Sequence, residues 1–525
     1  MNSNPTMMEK VRNSEFSRFL DKLAVASEPG LTTAQLMLTN EDLKPVEPGR
    51  RQWRSRNFVA FWIADSFNIN TWMISSSNIL LGLSWWQSWL CVWGWIGGTC
   101  VQLMISAIWR SWDTYGDGGR MNTLPVSSGT NTRDFVSFLL FWLGSLPFLW
   151  FPVHKIRHLF TVKAYSVPVA GVSFFIWAIV RAHGIGPVVK QKSSLHGSVL
   201  TWALVKGVMS AIANFATLIV NDPDFARFAR RPRNALWAQL LTIPIGFAVT
   251  SFIGIIVSSS SAVIFGEPIW SPLTLLQNFL DEPQVGSGQR FSVFVIAAAF
   301  TLAQLGTNIA ANSVSAGTDM TALLPRYLNI RRGSYICATV GLVMCPWHLL
   351  SSSNNFTTSL SAYSVFLSSI AGVIVCDYYI VRKGYFQTKD LYSAMKDGPY
   401  WYHLGIHWRG YAAYVAGILI NVVGFAGAVG TKVPAGATYI YNFNFFCGFL
   451  VAAVVYYLLC RFSPIPATSE FWLEVDDDAT YRDGSLSYGA GSQDVEAAYS
   501  QPSEHIKGAA LMRPTHSRAN SADLR

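Results

Sequence analysis

Charged residues are scarce in this sequence. Only 13% of its 525 residues are Asp, Glu, Lys or Arg, whereas 51% are hydrophobic. A soluble domain carries about 25% charged residues, so a soluble chain of this length would lack the polar surface that its domains need. A lipid bilayer removes that need, because side chains that face lipid can be apolar. The composition therefore predicts a membrane protein.

Enzyme and metal motifs are absent as well. The seven Cys lie in apolar stretches and form no CxxC pair, which favours small buried apolar side chains over disulfides or metal ligands. The sequence contains no P-loop, no HExxH and no GxSxG. We therefore expect no catalytic residues, no metal and no cofactor, and we expect the chain not to be an enzyme.

Long apolar runs are what the sequence has in abundance. A helix that spans a bilayer needs about 20 mostly apolar residues, and the short alternating segments of a barrel are not seen. Because irregular backbone cannot face lipid unsatisfied, we predict an all-α polytopic membrane protein with eleven spans. The candidate spans are 57–82, 83–109, 136–153, 161–182, 198–221, 235–260, 291–314, 335–352, 356–381, 410–430 and 441–461.

These spans divide the chain into three parts. We predict a cytoplasmic N-terminal tail over 1–56, a transmembrane domain over 57–462 and a cytoplasmic C-terminal tail over 463–525. The C-terminal tail has an acidic run at 474–478 and then a Ser/Gly-rich stretch, with too little apolar content to fold alone. We therefore expect it to be disordered.

The basic residues predict the orientation of the chain. The net charge is +9, and the basic residues flank apolar segments, which favours anchoring at the cytoplasmic surface over binding of nucleic acid. Basic loops at 154–158, 227–233, 326–332 and 382–383 are separated by two spans each, so all four lie on one side. The basic run at 50–56 should lie there too. Three spans separate it from the first of these loops, so either one segment fails to span or a piece of chain is missing.

Several spans carry polar residues that lipid-facing helices avoid. Asp65 and Asn68 lie in the first span, Lys206 and Asn214 in the fifth, and an amide-rich run at 304–313 in the seventh. Such groups face a cavity or pathway by default, although polar groups also join helices. Asp65 is a proton site, an ion-pair partner or an interfacial residue, and Lys206 either functions or extends towards the membrane surface. We favour a transporter.

The polar residues also suggest where the helices are broken. Transporters often place their sites between two discontinuous helices of related halves. The segments 57–82 and 198–221 both interrupt an apolar helix with Asn and other polar residues. We therefore predict that these two segments are discontinuous and flank the site.

Several of these strings resemble one family of transporters. The first span reads Asn57-Phe58-Val59-Ala60-Phe61-Trp62-Ile63-Ala64-Asp65-Ser66-Phe67-Asn68, and later strings are NDPDF at 221–225, TNIAAN at 307–312 and CDYY at 376–379. Over about residues 40–475 the chain resembles nucleobase–cation symport family one, and most of all its fungal uracil/allantoin permease branch. The resemblance implies a LeuT-like fold, in which a five-plus-five inverted repeat is followed by two helices.

The resemblance also implies what is carried. Members import uracil, allantoin, uridine, uric acid, cytosine, hydantoins or thiamine, driven by H⁺ or Na⁺. We therefore expect a small heterocyclic substrate and a proton or cation as partners, with the lipid bilayer around the chain. For a full-length member we expect the plasma membrane.

The same resemblance assigns roles to individual residues. Asn312 aligns with an Asn that hydrogen-bonds the heterocycle, and an amide offers both a donor and an acceptor for this. Phe215 aligns with an aromatic that stacks on the ring, with Asn214 beside it. Asn68, in the interrupted first span, completes the substrate-binding candidates.

A second group of residues aligns with a cation site. Ala303, Gly306 and Thr307 match the sodium-site positions of bacterial members, but Gly306 replaces a Ser ligand and offers no side-chain oxygen. The resemblance therefore favours proton coupling over sodium coupling. Asp65 and Lys206 are the candidates for proton coupling or gating.

The chain departs from the family at residues 92–95. Val92-Trp93-Gly94 runs straight into Trp95-Ile96-Gly97-Gly98, so the end of the second helix, a loop and most of the third helix are absent. The family's Trp-x-x-x-Gln pair, which contacts the substrate, is lost with them. One lost span turns twelve into eleven and explains the orientation conflict.

Two interpretations of this departure stay open. The sequence is a splice variant or a mispredicted gene of an ordinary permease, or the protein is this short and residues 83–109 form one hybrid helix. In the second case we expect a product that does not transport and is retained in the endoplasmic reticulum. A thiamine or nucleoside permease of the same family is a further alternative.

Overall fold

A computed structural model describes residues 24–25, 30–40, 42–69, 71–73, 88–186, 196–345, 353–388, 390–428 and 430–473. These residues form helices joined by loops, and the extended contacts among them are two isolated bridges. The helices are α1 Thr33–Leu38, α2 Ser55–Ser66, α3 Ser88–Ile108, α4 Thr132–Ser145, α5 Val153–Arg181, α6 Gly197–Asn221, α7 Pro232–Phe265, α8 Pro272–Leu280, α9 Ser287–Thr307, α10 Ser315–Leu323, α11 Ile330–Val343, α12 Ser353–Cys376, α13 Trp408–Ala428, α14 Ala435–Asn442 and α15 Asn444–Phe462.

The all-α architecture is confirmed, and a helix lies within each of the eleven predicted spans. Seven helices of the described part are long and apolar enough to cross a membrane by themselves: Lys155–Arg181, Gly197–Asn221, Pro232–Phe265, Ser287–Leu323, Ser364–Val381, Trp408–Ala428 and Asn444–Phe462. The helices α2, α4 and α11 are shorter, with 12, 14 and 14 residues. The count of eleven crossings therefore stays a prediction.

The two predicted helix breaks have different outcomes. The first segment is discontinuous, because α2 ends at Ser66 and Phe67 has φ −81° and ψ 62° outside the helical region. The predicted break in 198–221 is wrong, since α6 is one helix of 25 residues. The polar residues of α6 leave its backbone ladder intact, and Pro223, which would interrupt the ladder, lies beyond the end of the helix.

The N-terminal segment is fixed to the end of the bundle where the basic loops lie. Trp53 is fully buried; its N–H donates to the carbonyl oxygen of Phe228 at 2.9 Å, and its carbonyl oxygen accepts from the N–H of Arg230 at 2.8 Å. The carboxylate of Asp42 accepts from the N–H of Ile330 at 3.0 Å. The backbone carbonyl oxygen of Asp42 accepts from the Arg227 guanidinium at 2.8 Å. The basic loops at 227–233 and 326–332 therefore share one end with this segment, as predicted.

The N-terminal segment also lies beside the start of α5. Residues 154–158, predicted as a loop, form the first turns of α5, and the Arg157 guanidinium donates to the carbonyl oxygen of Gln52 at 3.4 Å. The helix α2 has 12 residues, a length of about 18 Å, which is less than the hydrocarbon core of about 30 Å. The helical part described for the first segment does not cross the membrane by itself.

The helix α3 contains the junction at residues 92–95. It runs without interruption over 21 residues, Ser88–Ile108, so the predicted hybrid of second and third helices is helical over that range. It packs against α9, and at its C-terminal end the Arg290 side chain donates to the carbonyl oxygen of Ala107 at 2.7 Å. The side chains of 88–96 lie outside the described residues.

A buried ion pair joins the ends of α12 and α15 to the residues that follow. Arg382, 1% exposed, donates to Asp377 at 2.8 Å, to the Tyr402 hydroxyl at 2.7 Å and to the carbonyl oxygen of Ala467 at 2.8 Å. The hydroxyl of Tyr456 on α15 donates to the other oxygen of Asp377 at 2.6 Å. The segment 463–473, at the start of the predicted tail, is therefore in contact with the bundle.

One member of this network is a histidine. His407 shares a hydrogen bond of 2.9 Å with the Tyr456 hydroxyl and stacks on the ring of Tyr402 at 4.0 Å. Burial lowers the pKa of His407 to about 4. The imidazole is therefore neutral from pH 5 upwards.

The acidic turn after α6 makes stability depend on pH. Burial raises the pKa of Asp224 to about 6, against the lowering effect of Arg227 and with a raising contribution from Asp319 and Asp222. Between the unfolded value of 3.8 and pH 6 the native state binds more protons than the unfolded state, so its free energy of unfolding rises as pH falls.

We predict that the Asp224→Asn variant loses this dependence. The wild-type unfolding temperature in detergent should rise between pH 7 and pH 5.5, whereas that of the variant should change less. Asp113→Asn, at a carboxylate on the opposite end of the bundle that pairs with Arg133 at 3.2 Å, serves as the comparison and should keep the rise. An unchanged slope in Asp224→Asn would contradict the assignment.

Candidate functional site

The break after α2 places polar groups inside the bundle. Asp65 and Asn68 are 6% and 5% exposed. The Asn68 amide nitrogen donates to the carbonyl oxygen of Asp65, and its amide oxygen accepts from the N–H of Thr71 at 2.8 Å. The side chain thus replaces backbone hydrogen bonds that the helix loses at Ser66. One N–H and one lone pair of this predicted substrate ligand remain for a solute.

A small apolar cleft lies beside this break. It is lined by residues of the break, of α5, of α7 and of α9, and Asn68 and Thr250 are its polar members: Phe67, Asn68, Ile69, Trp72, Val167, Gly171, Thr250, Ile253 and Phe300. Its walls are too close for a heterocycle, and the space suits a water molecule at most.

The amide-rich run continues α9 through a π-helical turn. Residues Asn308–Val314 form the turn, which leads into α10. Single π-helical turns inside α-helices occur frequently at functional sites. Asn312 is 8% exposed, and its amide nitrogen donates to the amide oxygen of Asn308 at 3.1 Å. This contact fixes the orientation of the Asn312 amide.

A lysine occupies the predicted cation site. Lys163 of α5 is fully buried, and its ammonium group donates to the Thr307 hydroxyl. The Thr307 hydroxyl in turn donates to the carbonyl oxygen of Ala303 at 3.1 Å. A Cβ atom on Gly306 would lie 2.9 Å from Cδ of Lys163. Of the three predicted residues, Thr307 therefore binds the ammonium group, Ala303 accepts from Thr307, and Gly306 provides the space for the lysine side chain.

Asp65 is the acidic neighbour of this lysine. Each of the two groups is buried, and they interact electrostatically across the interface of the α2 break with α5. Two opposite charges that share one low-dielectric region stabilise each other, and removing one leaves the other uncompensated. The structure thus places Asp65 in the same buried region as Lys163, and the described residues show no hydrogen bond or ion pair between the two side chains.

Lysine 163 is the residue that sequence reasoning missed. The predicted span began at 161, which placed Lys163 at its edge. The helix begins at Val153, after Pro152, so Lys163 lies almost three turns inside it. Pro152, at the N-cap, was the signal that could have placed the predicted start of this helix at residue 153 instead of 161.

The other predicted site residues lie on α6. Lys206 is exposed on the surface of that helix and is not part of the cluster at Lys163. The side chains of Asn214 and Phe215 lie outside the described residues. The backbone of α6 contacts the π-helical turn, so the helix that carries these two residues adjoins the segment that carries Asn312.

A sequence profile of one permease family matches most of the chain. The profile describes permeases for cytosine and purines, uracil, thiamine and allantoin, and it matches residues 45–94 and 93–448. The two pieces meet within α3, at the junction 92–95. An interruption of the match at this point agrees with the departure found in the sequence.

Individual relatives give the same result. An uncharacterised permease of Schizosaccharomyces pombe is 43% identical, over 88% of this chain and 86% of the relative. The allantoin permease of Saccharomyces cerevisiae is 42% identical over 82% of this chain and 77% of its own, and the uracil permease of that yeast is 39% identical over 85% and 81%.

The first of these alignments also shows how many of its positions have no residue of this chain. It extends over 517 positions but takes in 88% of this chain, which is about 462 residues. About 55 aligned positions of the S. pombe permease therefore have no counterpart here. That number is larger than one membrane-spanning helix needs.

A solved structure shares the fold. Mhp1, a nucleobase-cation-symport-1 family transporter in a closed conformation with bromovinylhydantoin bound, superposes with a TM-score of 0.55 over 82% of this chain and 98% of its own, at 18% identity. The fold of this chain is therefore that of a LeuT-like transporter. Together with the profile and the yeast relatives, it shows that the chain is a multi-pass membrane protein that belongs to the family of permeases for cytosine and purines, uracil, thiamine and allantoin.

Proposed function

We propose that this chain is a proton-coupled symporter that imports a small heterocycle with an amide or ureide edge, as uracil and allantoin have. The names of the uracil and allantoin permeases of Saccharomyces cerevisiae support the substrate class. The observation that carries the coupling is the hydrogen bond of the buried Lys163 ammonium group to Thr307, with the lysine side chain beside Gly306.

The amides of the π-helical turn suit such a substrate. An amide edge presents a donor beside an acceptor, and an Asn side chain offers both in return. Because Asn308 holds the amide nitrogen of Asn312, the Asn312 oxygen is positioned to accept from a ring N–H. We assign ring stacking to Phe215 and a further amide contact to Asn214, and we assign Asn68 to holding the break of the first segment.

The lysine supports protons over sodium as the driving ion. An ammonium group beside Thr307 repels a second cation. A proton that binds the carboxylate of Asp65 changes the charge that Lys163 faces by one unit. The contacts of α5 with the α2 break and with α9 then differ between the two states, and such a difference is what couples binding to a conformational change.

Uptake measurements test the proposal. In yeast cells without their own permeases, we expect saturable uptake of at least one of labelled uracil, allantoin and uridine. Uptake should be faster at external pH 5 than at pH 7, fall with a protonophore and stay the same when choline replaces sodium. A requirement for sodium would contradict the coupling. No uptake of any of the three by a chain with the missing segment restored would contradict the transport function.

A second candidate is a product that does not transport and stays in the endoplasmic reticulum. The interruption of the family match at residues 93–94 and the unmatched positions of the S. pombe permease favour it. Sequencing of the cDNA across codons 88–100 decides whether additional codons exist. A plasma-membrane signal of the chain as given, together with substrate-dependent uptake, would exclude this candidate.

A further inference from the structure

Gln304 carries a buried amide that has no hydrogen-bond partner among the described residues. The side chain is 0% exposed, and neither its amide nitrogen nor its amide oxygen has a hydrogen-bond partner in the part of the chain that the structure describes. A buried polar group without a partner loses its hydration and gains nothing in return. Such a group is retained where something other than the fold forms the missing hydrogen bonds.

The position of Gln304 on α9 faces the interior of the bundle. Phe300 and Thr307 lie four residues before it and three after it, on the same face of the helix. The ring of Phe300 lies 6.4 Å from the ring of Trp72 in the α2 break, and Thr307 binds Lys163. The amide of Gln304 is therefore flanked by the break of the first segment and the cation cluster.

The amide also continues a row of amides along the helix. Asn308 lies one turn after Gln304, and Asn312 donates to Asn308 at 3.1 Å. Residues four apart on a helix are about 6 Å apart along its axis, which is comparable with the width of a six-membered heterocycle and its exocyclic oxygens. Gln304 and the Asn308–Asn312 pair thus follow one another along the helix at the spacing of one flat ring.

The helix α3 lies along the side of this row. Thr301, one turn before Gln304, contacts the Met104 sulfur of α3 at 3.4 Å. The sequence of α3 lacks the Trp-x-x-x-Gln pair that the family resemblance places on the third helix.

We propose that Gln304 is a substrate-binding residue whose amide pairs with the donor–acceptor edge of the heterocycle, one helical turn from the Asn308–Asn312 pair. This inference rests on the proposed function, since it takes the substrate to have an amide or ureide edge. The Gln304 nitrogen donates to a ring carbonyl oxygen, and its oxygen accepts from the adjacent ring N–H.

Gln304→Leu separates a binding role from a structural role. The apolar side chain has a similar volume and removes the unpaired amide, so the unfolding temperature of the ligand-free protein should stay the same or rise by about 1–2 °C. The KM for uptake should rise about 10-fold, which corresponds to about 1.4 kcal/mol of binding. The rise in unfolding temperature that uracil or allantoin induces in the purified wild type should be lost.

Gln102→Leu is the matched control. Gln102 is 2% exposed, but its amide nitrogen donates to Ser106 at 3.1 Å and to Gln277 at 2.9 Å. This variant should lower the unfolding temperature and leave KM within about twofold of wild type, since its amide is already paired. Gln304→Met, with a flexible side chain of similar length, provides a second variant if Gln304→Leu accumulates poorly.

The outcomes distinguish this inference from the proposed function. If the wild type shows uptake and a ligand-induced shift, while Gln304→Leu or Gln304→Met keeps the wild-type KM, the Gln304 inference is wrong and the proposed function stands. A fall in ligand-free stability for both variants would also overturn the inference, because the amide would then stabilise the fold. If the wild type shows neither uptake nor a shift with any of the three heterocycles, the proposed function fails and this inference fails with it.

Discussion

Replacing Lys163 by Met is expected to lower substrate accumulation by about 100-fold and to abolish its dependence on external pH. The variant removes the ammonium group from the Thr307 hydroxyl and from the neighbourhood of Asp65. Coupling free energies between two sites are about 1–3 kcal/mol, and about 2.7 kcal/mol corresponds to a factor of 100. Met has nearly the same length and fills the space beside Gly306, so packing of α5 against α9 should persist.

Lys206→Met provides the matched control for this experiment. Both residues are lysines on long apolar helices, but Lys206 is exposed whereas Lys163 is fully buried. Uptake at pH 5 and pH 7 should be measured for both variants, with the amount of protein at the cell surface determined in the same cells. Proton-driven accumulation by Lys163→Met at the wild-type level would show that the ammonium group is not part of the coupling.

Replacing Arg382 by Met is expected to leave most of the protein in the endoplasmic reticulum. The guanidinium group pairs with Asp377, donates to the Tyr402 hydroxyl and to the Ala467 carbonyl oxygen, and lies over the rings of Phe386 and Tyr400 at 5.3 and 5.1 Å. Breaking a buried ion pair from one side costs about 3–5 kcal/mol. The stability of a folded domain is only about 5–15 kcal/mol, so this loss should reduce its folded fraction.

The neighbouring Lys383 supplies the comparison. Its ammonium group donates to the carbonyl oxygen of Glu470 at 2.7 Å in an exposed position, where such contacts contribute little. Fluorescence microscopy and size-exclusion chromatography in detergent should show Lys383→Met like wild type and Arg382→Met retained and aggregated. Normal surface delivery of Arg382→Met would mean that the network is dispensable for folding.

Apolar runs predicted the helices well because in lipid the helix satisfies its own backbone. The break near Asn68 was also predictable, since a polar side chain that replaces backbone hydrogen bonds has to be close in sequence. The continuity of α6 was not predictable. Asn and Lys side chains interrupt the apolar pattern of the sequence, but they leave the backbone hydrogen bonds of the helix intact. The coupling of Asp65 to Lys163 depends on the packing of two segments that lie far apart in the chain.

The π-helical turn shows a different limit. Composition predicted polar function for the amide run at 304–313, but nothing in the run indicates that hydrogen bonds shift from i→i+4 to i→i+5 at Asn308. Such a turn arises from one additional residue in the helix, which packing on both sides has to tolerate. The missing hydrogen-bond partner of the Gln304 amide was likewise not predictable, because the sequence shows the amide but not whether it has a partner.

The π-helical turn makes the length of this segment as critical as its composition. The turn already holds one residue more than an α-helix of the same length, so one further residue inserted between Asn308 and Val314 would rotate α10 by about 100° relative to α9. Gly317 would then leave its place against α11, where a Cβ atom on Gly333 would lie 2.8 Å from the Gly317 Cα atom. A larger neighbour would replace Gly317 at this contact and separate the two helices. Family members of this type should therefore tolerate substitutions in the turn far better than a change in its number of residues.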